Sequence, residues 1–265
     1  MSTKPVLPFL FSLTISLALF GQEYYVLQVK GIVKKVKTGA SLKTKDVIKA
    51  DDQLTFSSRS DAVAVVSTKS GRFILKPGKP TKSNELMSYV KDALSPASTR
   101  LSTRSGGLNS LLDLRAFFST SILLLPELHY KINGQSFPIT EKAFFFIQYQ
   151  YRGESINKQL KINPDSLLII NRSDLFKIDG KSVDESEIKA PALNYYSDKG
   201  SVLITPISFI LADLTAVKNE VDVLTEVLGT SEKDSSIIHN EILDYLNEHY
   251  GKVDGDNLKR WLNQK

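Results

Sequence analysis

The stretch GASLKTKDVIKADDQLTFSSRSDAVAVVSTKSGRFIL, from Gly39 to Leu75, decides how the fold is read. It divides into short apolar and β-branched runs: DVIKA, QLTFS, DAVAVVST and GRFIL. Turn-like ADD, SRSD and TKSG separate them. Runs of this length, bounded by Asp, Ser and Gly clusters, read as strands rather than helices. Ser70-Gly71 between two apolar runs is a hairpin signal. Upstream, YYVLQVKGIVKKVK is rich in β-branched and aromatic residues and breaks at Gly31. Val29, Ile32, Val33 and Val36 are expected to face a small core. From Tyr24 to Pro77 the expectation is therefore all β, as a small barrel or sandwich.

Working outward, a second β-rich region runs from Ser121 to Ala212. Its strand candidates are ILLLPELHYKI, AFFFIQYQYR, SINKQLKI, SLLIINRS, LFKIDG, ALNYYS and SVLITPISFILA. In FIQYQYR, Phe145, Ile147, Tyr149 and Tyr151 alternate onto one face. Asp179-Gly180 is a type I′ turn candidate. That many strands in so short a region suit an immunoglobulin-like sandwich without its cysteine pair. Between the β regions, KPGKPTK reads as a linker. SNELMSYVKDALS reads as a short amphipathic helix capped by Ser83, and PASTRLSTRSGGLNS as a polar connector. LLDLRAFF reads as a helical turn.

After Pro206 the hydrophobic period changes. Leu214, Val217, Val221, Leu224 and Leu228 fall at helical spacing, with Gly229 as the stop. A second helix carries Ile238, Ile242, Tyr245 and Leu246 on its face and stops at Gly251. A third is expected with Asp256 as its cap. The expected fold class is mainly β with a C-terminal α segment: a small N-terminal β barrel or sandwich, an immunoglobulin-like sandwich and a short helical tail. The expected boundaries are 1–21 leader, 22–78 β domain, 79–118 helix and linker, 119–211 sandwich and 212–265 helical segment.

The N-terminus, MSTKPVLPFLFSLTISLALFGQEYY, has Lys4, an apolar run from Pro5 to Phe20, a small Gly21 and then polar Gln22 and Glu23. That is the layout of a secretory leader, with cleavage expected after Gly21 and retention as an anchor as the alternative. The run is short of the roughly 20 residues a bilayer span needs, and no later stretch reaches that length. The expectation is a secreted or periplasmic chain with no membrane span after cleavage. The absence of cysteine removes disulfides, thiol catalysis, cysteine metal sites and a lipid-modified cysteine.

The Gly39–Leu75 pattern also has a family likeness. Gly39, Leu42, Lys43, Asp46, Ile48, Asp52, Leu54, Phe56, Ser60, Ala62, Val63, Val65, Gly71, Phe73 and Leu75 follow an order that resembles the FecR-type domain of bacterial envelope proteins. The resemblance implies a small β domain in a periplasmic sensor or scaffold. The sensor members carry a cytoplasmic anti-sigma segment and a membrane span before this domain, a pattern that residues 1–21 do not follow. What carries over is a fold and a compartment rather than an activity.

Charge narrows the partners. The 34 basic residues exceed the 29 acidic ones by only five, spread along the 265-residue chain, whereas a nucleic-acid binder concentrates its charge on one stripe. The densest basic run, KGIVKKVKTGASLKTKDVIK, alternates with apolar residues like the wet face of a strand, with a polyanion-binding face as the alternative. Gly106-Gly107 with Arg100 and Arg104 suggest at most an anion-binding turn, since the P-loop consensus is not met. No HExxH or G-x-S-x-G motif occurs. His239 and His249 point to different faces of one helix, and His129 stands apart. No metal, cofactor or nucleic acid is expected. Asp165, Asp174, Asp179, Asp184, Glu185 and Glu187 remain as acids for a two-carboxylate glycan hydrolase. Phe144, Phe145, Phe146, Tyr149, Tyr151, Tyr195 and Tyr196 read as cross-strand packing, or as a glycan-binding strip formed by Tyr149, Tyr151 and Arg152. The expected function is that of an exported, non-enzymatic binding or scaffold protein of the bacterial envelope, recognising a protein or an anionic or glycan partner. The alternatives are a divergent envelope hydrolase and a purely structural, oligomerising component.

Overall fold

The structure, a computed structural model, describes residues 22–77, 108–232 and 234–264. The expected leader, the helix capped by Ser83 and the Gly106-Gly107 turn lie outside the described residues.

The N-terminal unit holds β1 (Glu23–Lys30), β2 (Val33–Lys35), β3 (Val47–Lys49), β4 (Leu54–Phe56), β5 (Ala62–Ser67) and β6 (Gly71–Leu75). Four of them form an antiparallel sheet in the order β3-β1-β5-β6, and β2 pairs with β4 as a separate ribbon. Strand alternation turns Tyr24, Val26, Val63, Val65, Phe73 and Leu75 toward Val33, Leu42, Ile48 and Leu54, which closes a small core of its own. Tyr24 meets Phe73 edge to face at 5.3 Å. The arrangement is sandwich-like rather than a closed barrel. Two expected core residues lie outside it: Ile32 and Val36 are 55% and 53% exposed. Gly31, at φ +81°, ends β1, and a Cβ there would lie 2.0 Å from Asp61 Oδ1. The chain restarts with Val33 inward, so residues 32, 34 and 36 share the outer face.

A bulge between Val26 and Gln28 gives β1 a second allegiance. Leu27, Ala64 and Val66 join a different and larger core. The opposite face of the N-terminal sheet is therefore a floor for the rest of the molecule.

The second unit begins with α1 (Leu111–Phe117), β7 (Ile122–Leu123), β8 (Glu127–Lys131), β9 (Phe144–Tyr151) and β10 (Glu154–Gln159). It continues with β11 (Lys161–Ile162), β12 (Leu167–Asn171), α2 (Arg172–Leu175), β13 (Lys177–Ile178) and β14 (Lys181–Ser182). A 3-10 turn at Glu185–Glu187, β15 (Lys189–Ser197), β16 (Gly200–Pro206) and β17 (Phe209–Ile210) complete it. A four-stranded sheet, β10-β9-β15-β16, stands against a three-stranded sheet, β11-β12-β8. Phe145, Ile147, Tyr149 and Leu193 from the first share one core with Leu128, Tyr130, Leu168 and Ile170 from the second. Asp179 and Gly180, at φ 48° and 78°, make the expected tight turn, with Ile178 opposite Lys181.

Three helices follow: α3 (Leu214–Gly229), α4 (Ser235–Tyr250) and α5 (Gly255–Asn263). Asp213, Asp234 and Asp254 cap them through their side chains. The third cap is thus Asp254 and not Asp256, because Asp254 reaches the Asn257 N–H and leaves Asp256 inside the first turn. Val217, Val221 and Leu224 are buried on α3, and Ile242, Tyr245 and Leu246 on α4, as helical spacing requires. These faces do not hang free. α3 packs on β1, β5 and α4, and α5 packs on β8. The tail is wedged between the two β units.

Candidate functional site

Tyr149, Tyr151 and Arg152 lie on and just beyond one strand but do not form one surface. Tyr149 is 1% exposed, its ring in the core, and its hydroxyl donates to the Leu175 carbonyl at 2.8 Å. Only Tyr151 and Arg152 reach the surface, at the tip of the β9–β10 hairpin. Arg152 at φ 50° and Gly153 at φ 89° turn the chain there. The Arg152 guanidinium grips Glu187 with two hydrogen bonds, at 2.6 and 3.1 Å, and lies 5.1 Å from the Tyr151 ring centre. Its hydrogen bond with Glu187 holds that carboxyl below the usual range. The tip is a closed set of mutual partners.

The opposite parity of the same strand builds a different surface. Phe144, Phe146, Gln148 and Gln150 point out of the sandwich, away from the Phe145 face. Strand register sets Phe144 beside Tyr196 and Phe146 beside Asn194 on β15. Asn194 in turn faces Leu203 on β16, and Gln148 faces Asn157 on β10. The Phe144 and Tyr196 rings stack at 5.3 Å with 30° between planes, and Phe144 and Phe146 sit 6.2 Å apart. Phe146 is 9% exposed yet belongs to neither core. Leu203 and Tyr196 are exposed. Gln148 donates to Asn157 Oδ1 at 3.0 Å, and Asn194 donates to the Ala192 carbonyl at 3.0 Å. The result is a surface on which Tyr196 and Leu203 are open at one end and the Gln148–Asn157 carboxamide pair at the other, while Phe146 and Asn194, the latter 6% exposed, are buried within it. Sequence alternation names the two parities of β9. Which parity meets water depends on where β12 and β8 lie, and only tertiary structure shows that.

Four of the six candidate acids are otherwise occupied. Asp174 pairs with Lys161 at 2.8 Å, Glu185 with Arg172 at 2.5 Å and Glu187 with Arg152. Asp184 accepts from both the N–H and the hydroxyl of Ser186. These bonds hold Asp174 and Asp184 below the ordinary carboxylate range, the wrong direction for a general acid. Two hollows flank this region. One of about 100 Å³ is lined by Glu127, Lys161, Asn171 and Asp174. There Glu127 accepts from Asn171 at 3.0 Å and pairs with His129 Nε2 at 2.7 Å, and both bonds lower its pKa. The other, about 370 Å³, contains Arg172 and Glu185. Arg172 is saturated there by Glu185 and by the carbonyls of Leu124 and Ala212. Among the described residues no cluster of three or more His, Asp or Glu is placed to hold a metal ion. No described helix is long and apolar enough to cross a membrane.

A buried polar group was not foreseen from sequence. Glu220, on α3, is 3% exposed. It accepts from Tyr245 at 2.8 Å, from Tyr250 at 2.8 and 2.9 Å, and from Gln28 of β1 at 3.3 Å. Burial pushes its pKa up against the pull of these donors. A glutamate on a helix reads as solvated until the covering sheet is known. The group joins the units rather than opening to a ligand.

Comparison with known proteins returns no matching family model, no matching curated protein and no matching solved structure.

Proposed function

We propose that the protein is an exported, non-enzymatic binding module of the bacterial envelope that recognises a neutral glycan on the outer face of β10-β9-β15-β16. One observation carries the reading: the Phe144–Tyr196 stack and exposed Leu203 lie on the same sheet face as the exposed amides of Gln148 and Asn157. Aromatic faces pack on the C–H faces of sugar rings, and carboxamides both donate to and accept from hydroxyls. The central positions of this face are aromatic, aliphatic or amide, which suits an uncharged polymer better than an anionic one. The leader-like residues 1–21 and the FecR-like pattern of residues 39–75 support the compartment. Docking through the tail is less supported, because α3 to α5 bury their apolar faces inside the molecule. A two-carboxylate hydrolase is likewise less supported, because Asp174, Glu185 and Glu187 are ion-paired and Asp184 is tied to Ser186.

Affinity electrophoresis in gels loaded with neutral envelope and plant glucans tests it. Retardation is expected, with loss in Tyr196→Ala and Phe144→Ala and retention in Tyr151→Ala. Retardation that survives Tyr196→Ala and Phe144→Ala, or is absent with every polysaccharide, overturns the reading.

A further inference from the structure

The N-terminal unit carries a second surface that glycan recognition does not use. On the ribbon strand β2, residues of even number face out, so Ile32, Lys34 and Val36 line up on one side. Ile32 and Val36 are the exposed large apolar side chains of this unit among the described residues. Their strand neighbours are small and polar: Thr55 sits opposite Lys34 on β4, and Ser41 bridges Lys34 on the other side. Lys34, Lys37 and Lys43 are all exposed on this ribbon and the turn beside it. Lys35, by contrast, turns inward to Asp52 at 3.3 Å and to the Val47 carbonyl. The nearby acids offset these lysines only in part: Asp52 pairs with Lys35 at 3.3 Å and also feels the charge of Lys37, and Asp46 accepts from the Lys43 backbone N–H at 2.8 Å. Asp51 alone stands exposed in the β3–β4 turn.

Two apolar side chains accompanied by three exposed ammonium groups match a specific kind of surface. We infer that this face docks the unit on an anionic lipid bilayer, with Ile32 and Val36 dipping below the headgroups and Lys34, Lys37 and Lys43 meeting the phosphates. A soluble polyanion satisfies the lysines but gives Ile32 and Val36 no apolar phase to enter. A bilayer satisfies both. The anchor is small, so attachment is weak, reversible and salt-sensitive, each lysine contributing about fivefold in partitioning. The two apolar side chains together contribute about tenfold. The aromatic–amide platform sits on the other β unit and is independent of this contact.

Vesicle flotation tests it with the full chain. Vesicles of phosphatidylcholine with roughly one phosphatidylglycerol in four should carry the protein up, and phosphatidylcholine alone should not. Raising the salt should release it. Lys34→Glu/Lys37→Glu should cut partitioning by more than tenfold. Ile32→Ser/Val36→Ser should cut it about tenfold with charge unchanged. All four positions are exposed, and unchanged melting curves confirm that the variants fold. Equal flotation with neutral vesicles, or none with anionic ones, overturns the proposal. So does binding to soluble polyphosphate, or to an acidic protein, that ignores Ile32→Ser/Val36→Ser while flotation is absent.

Discussion

Tyr245 donates its hydroxyl to the buried carboxylate of Glu220 at 2.8 Å, and this bond lies in the seam between the two β units. Tyr250 donates to the same carboxylate, and Gln28 reaches it from the N-terminal sheet across 192 positions of sequence. A carboxylate with three donors is a satisfied polar group, and satisfying it requires β1, α3 and α4 to meet in one register. Apolar packing of Leu27, Ala64 and Val66 tolerates small slips that this network does not.

Removing the acceptor strands the two tyrosine hydroxyls, while Gln28 keeps its bond to the Tyr250 hydroxyl at 2.9 Å. Glu220→Ala should lower unfolding free energy by about 2–4 kcal/mol, since Tyr245 and Tyr250 lose their acceptor at once. Glu220→Gln, which keeps one acceptor oxygen, should cost about half as much. Urea unfolding of the three proteins checks the order. Equal stability of Glu220→Ala and wild type would show that the network is incidental.

The same group sets a pH slope. Burial raises the folded-state pKa of Glu220 above its ordinary 4.5. Its contribution is therefore full below that ordinary value and is lost as pH rises through the raised folded value. Asp52, Glu127 and Asp174 are lowered and contribute with the opposite sign, so the total profile mixes both. The difference between wild type and Glu220→Gln isolates the first. Wild type should lose ground to the variant in thermal melts as pH rises above the ordinary 4.5. A difference that stays flat, or that grows in favour of wild type, would contradict the assignment.

Arg72 holds the other side of the seam. It meets Glu248 at 2.9 Å and Glu241 at 3.4 Å, and its guanidinium lies 5.6 Å from the Tyr245 ring centre. Its side chain is mostly buried, so Arg72→Ala should cost about 1–3 kcal/mol. The N-terminal unit keeps a core of its own around Tyr24, Val65 and Phe73. Loss of Arg72 should therefore uncouple the two units rather than unfold both. Trp261, the chain's one tryptophan, lies on α5, partly buried against the larger core. Its fluorescence transition should separate from the circular-dichroism transition in Arg72→Ala and coincide with it in wild type.

Much of this architecture is written in local pattern. The β-branched run in DAVAVVS between turn residues marks β5, period-two alternation in FIQYQY marks β9, and helical spacing of Val217, Val221 and Leu224 marks α3. Turn chemistry places Asp179-Gly180 and the helix stop at Gly251. The readings that differ share one cause. The side turned toward a neighbour is a long-range property, so Ile32 and Val36 come out exposed, Glu220 comes out buried, and Tyr149 comes out in the core while Phe144 and Tyr196 face water. The short α2 is legible only in hindsight, from Asn171 accepting the Asp174 N–H as its cap.

Tyr149 and Tyr196 should separate stability from recognition. Tyr149→Phe removes the hydroxyl that the buried Leu175 carbonyl accepts from, which should cost about 1–2 kcal/mol and leave glycan retardation unchanged. Tyr196→Ala removes an exposed ring stacked on Phe144, which should cost less than about 1 kcal/mol and abolish retardation. Melting temperatures and affinity electrophoresis on both variants check the split. If Tyr149→Phe lost binding at full stability, the site would have to move back to the Tyr149 side.

Asn257 supplies the most exacting test of how the tail is fixed. It is wholly buried, and its side chain acts on β8 as a strand would: Oδ1 accepts from the His129 N–H at 2.7 Å, and Nδ2 donates to the His129 carbonyl at 3.1 Å. Its own N–H is held by the Asp254 cap at 2.9 Å, so one residue ties the start of α5 to the edge of the three-stranded sheet. Asn257→Ala strands one backbone donor and one acceptor away from water, and should cost about 2–4 kcal/mol. Asn257→Asp keeps the acceptor but loses the donor and buries a charge near Asp254, and should cost at least as much. Asp254→Asn, which keeps a capping oxygen, should cost less than about 1 kcal/mol. Denaturant unfolding monitored at Trp261, four residues along the same helix, reads all three. A near-neutral Asn257→Ala would mean that α5 is held by Leu258 and its apolar neighbours alone, and that the paired hydrogen bonds to His129 add nothing to its docking.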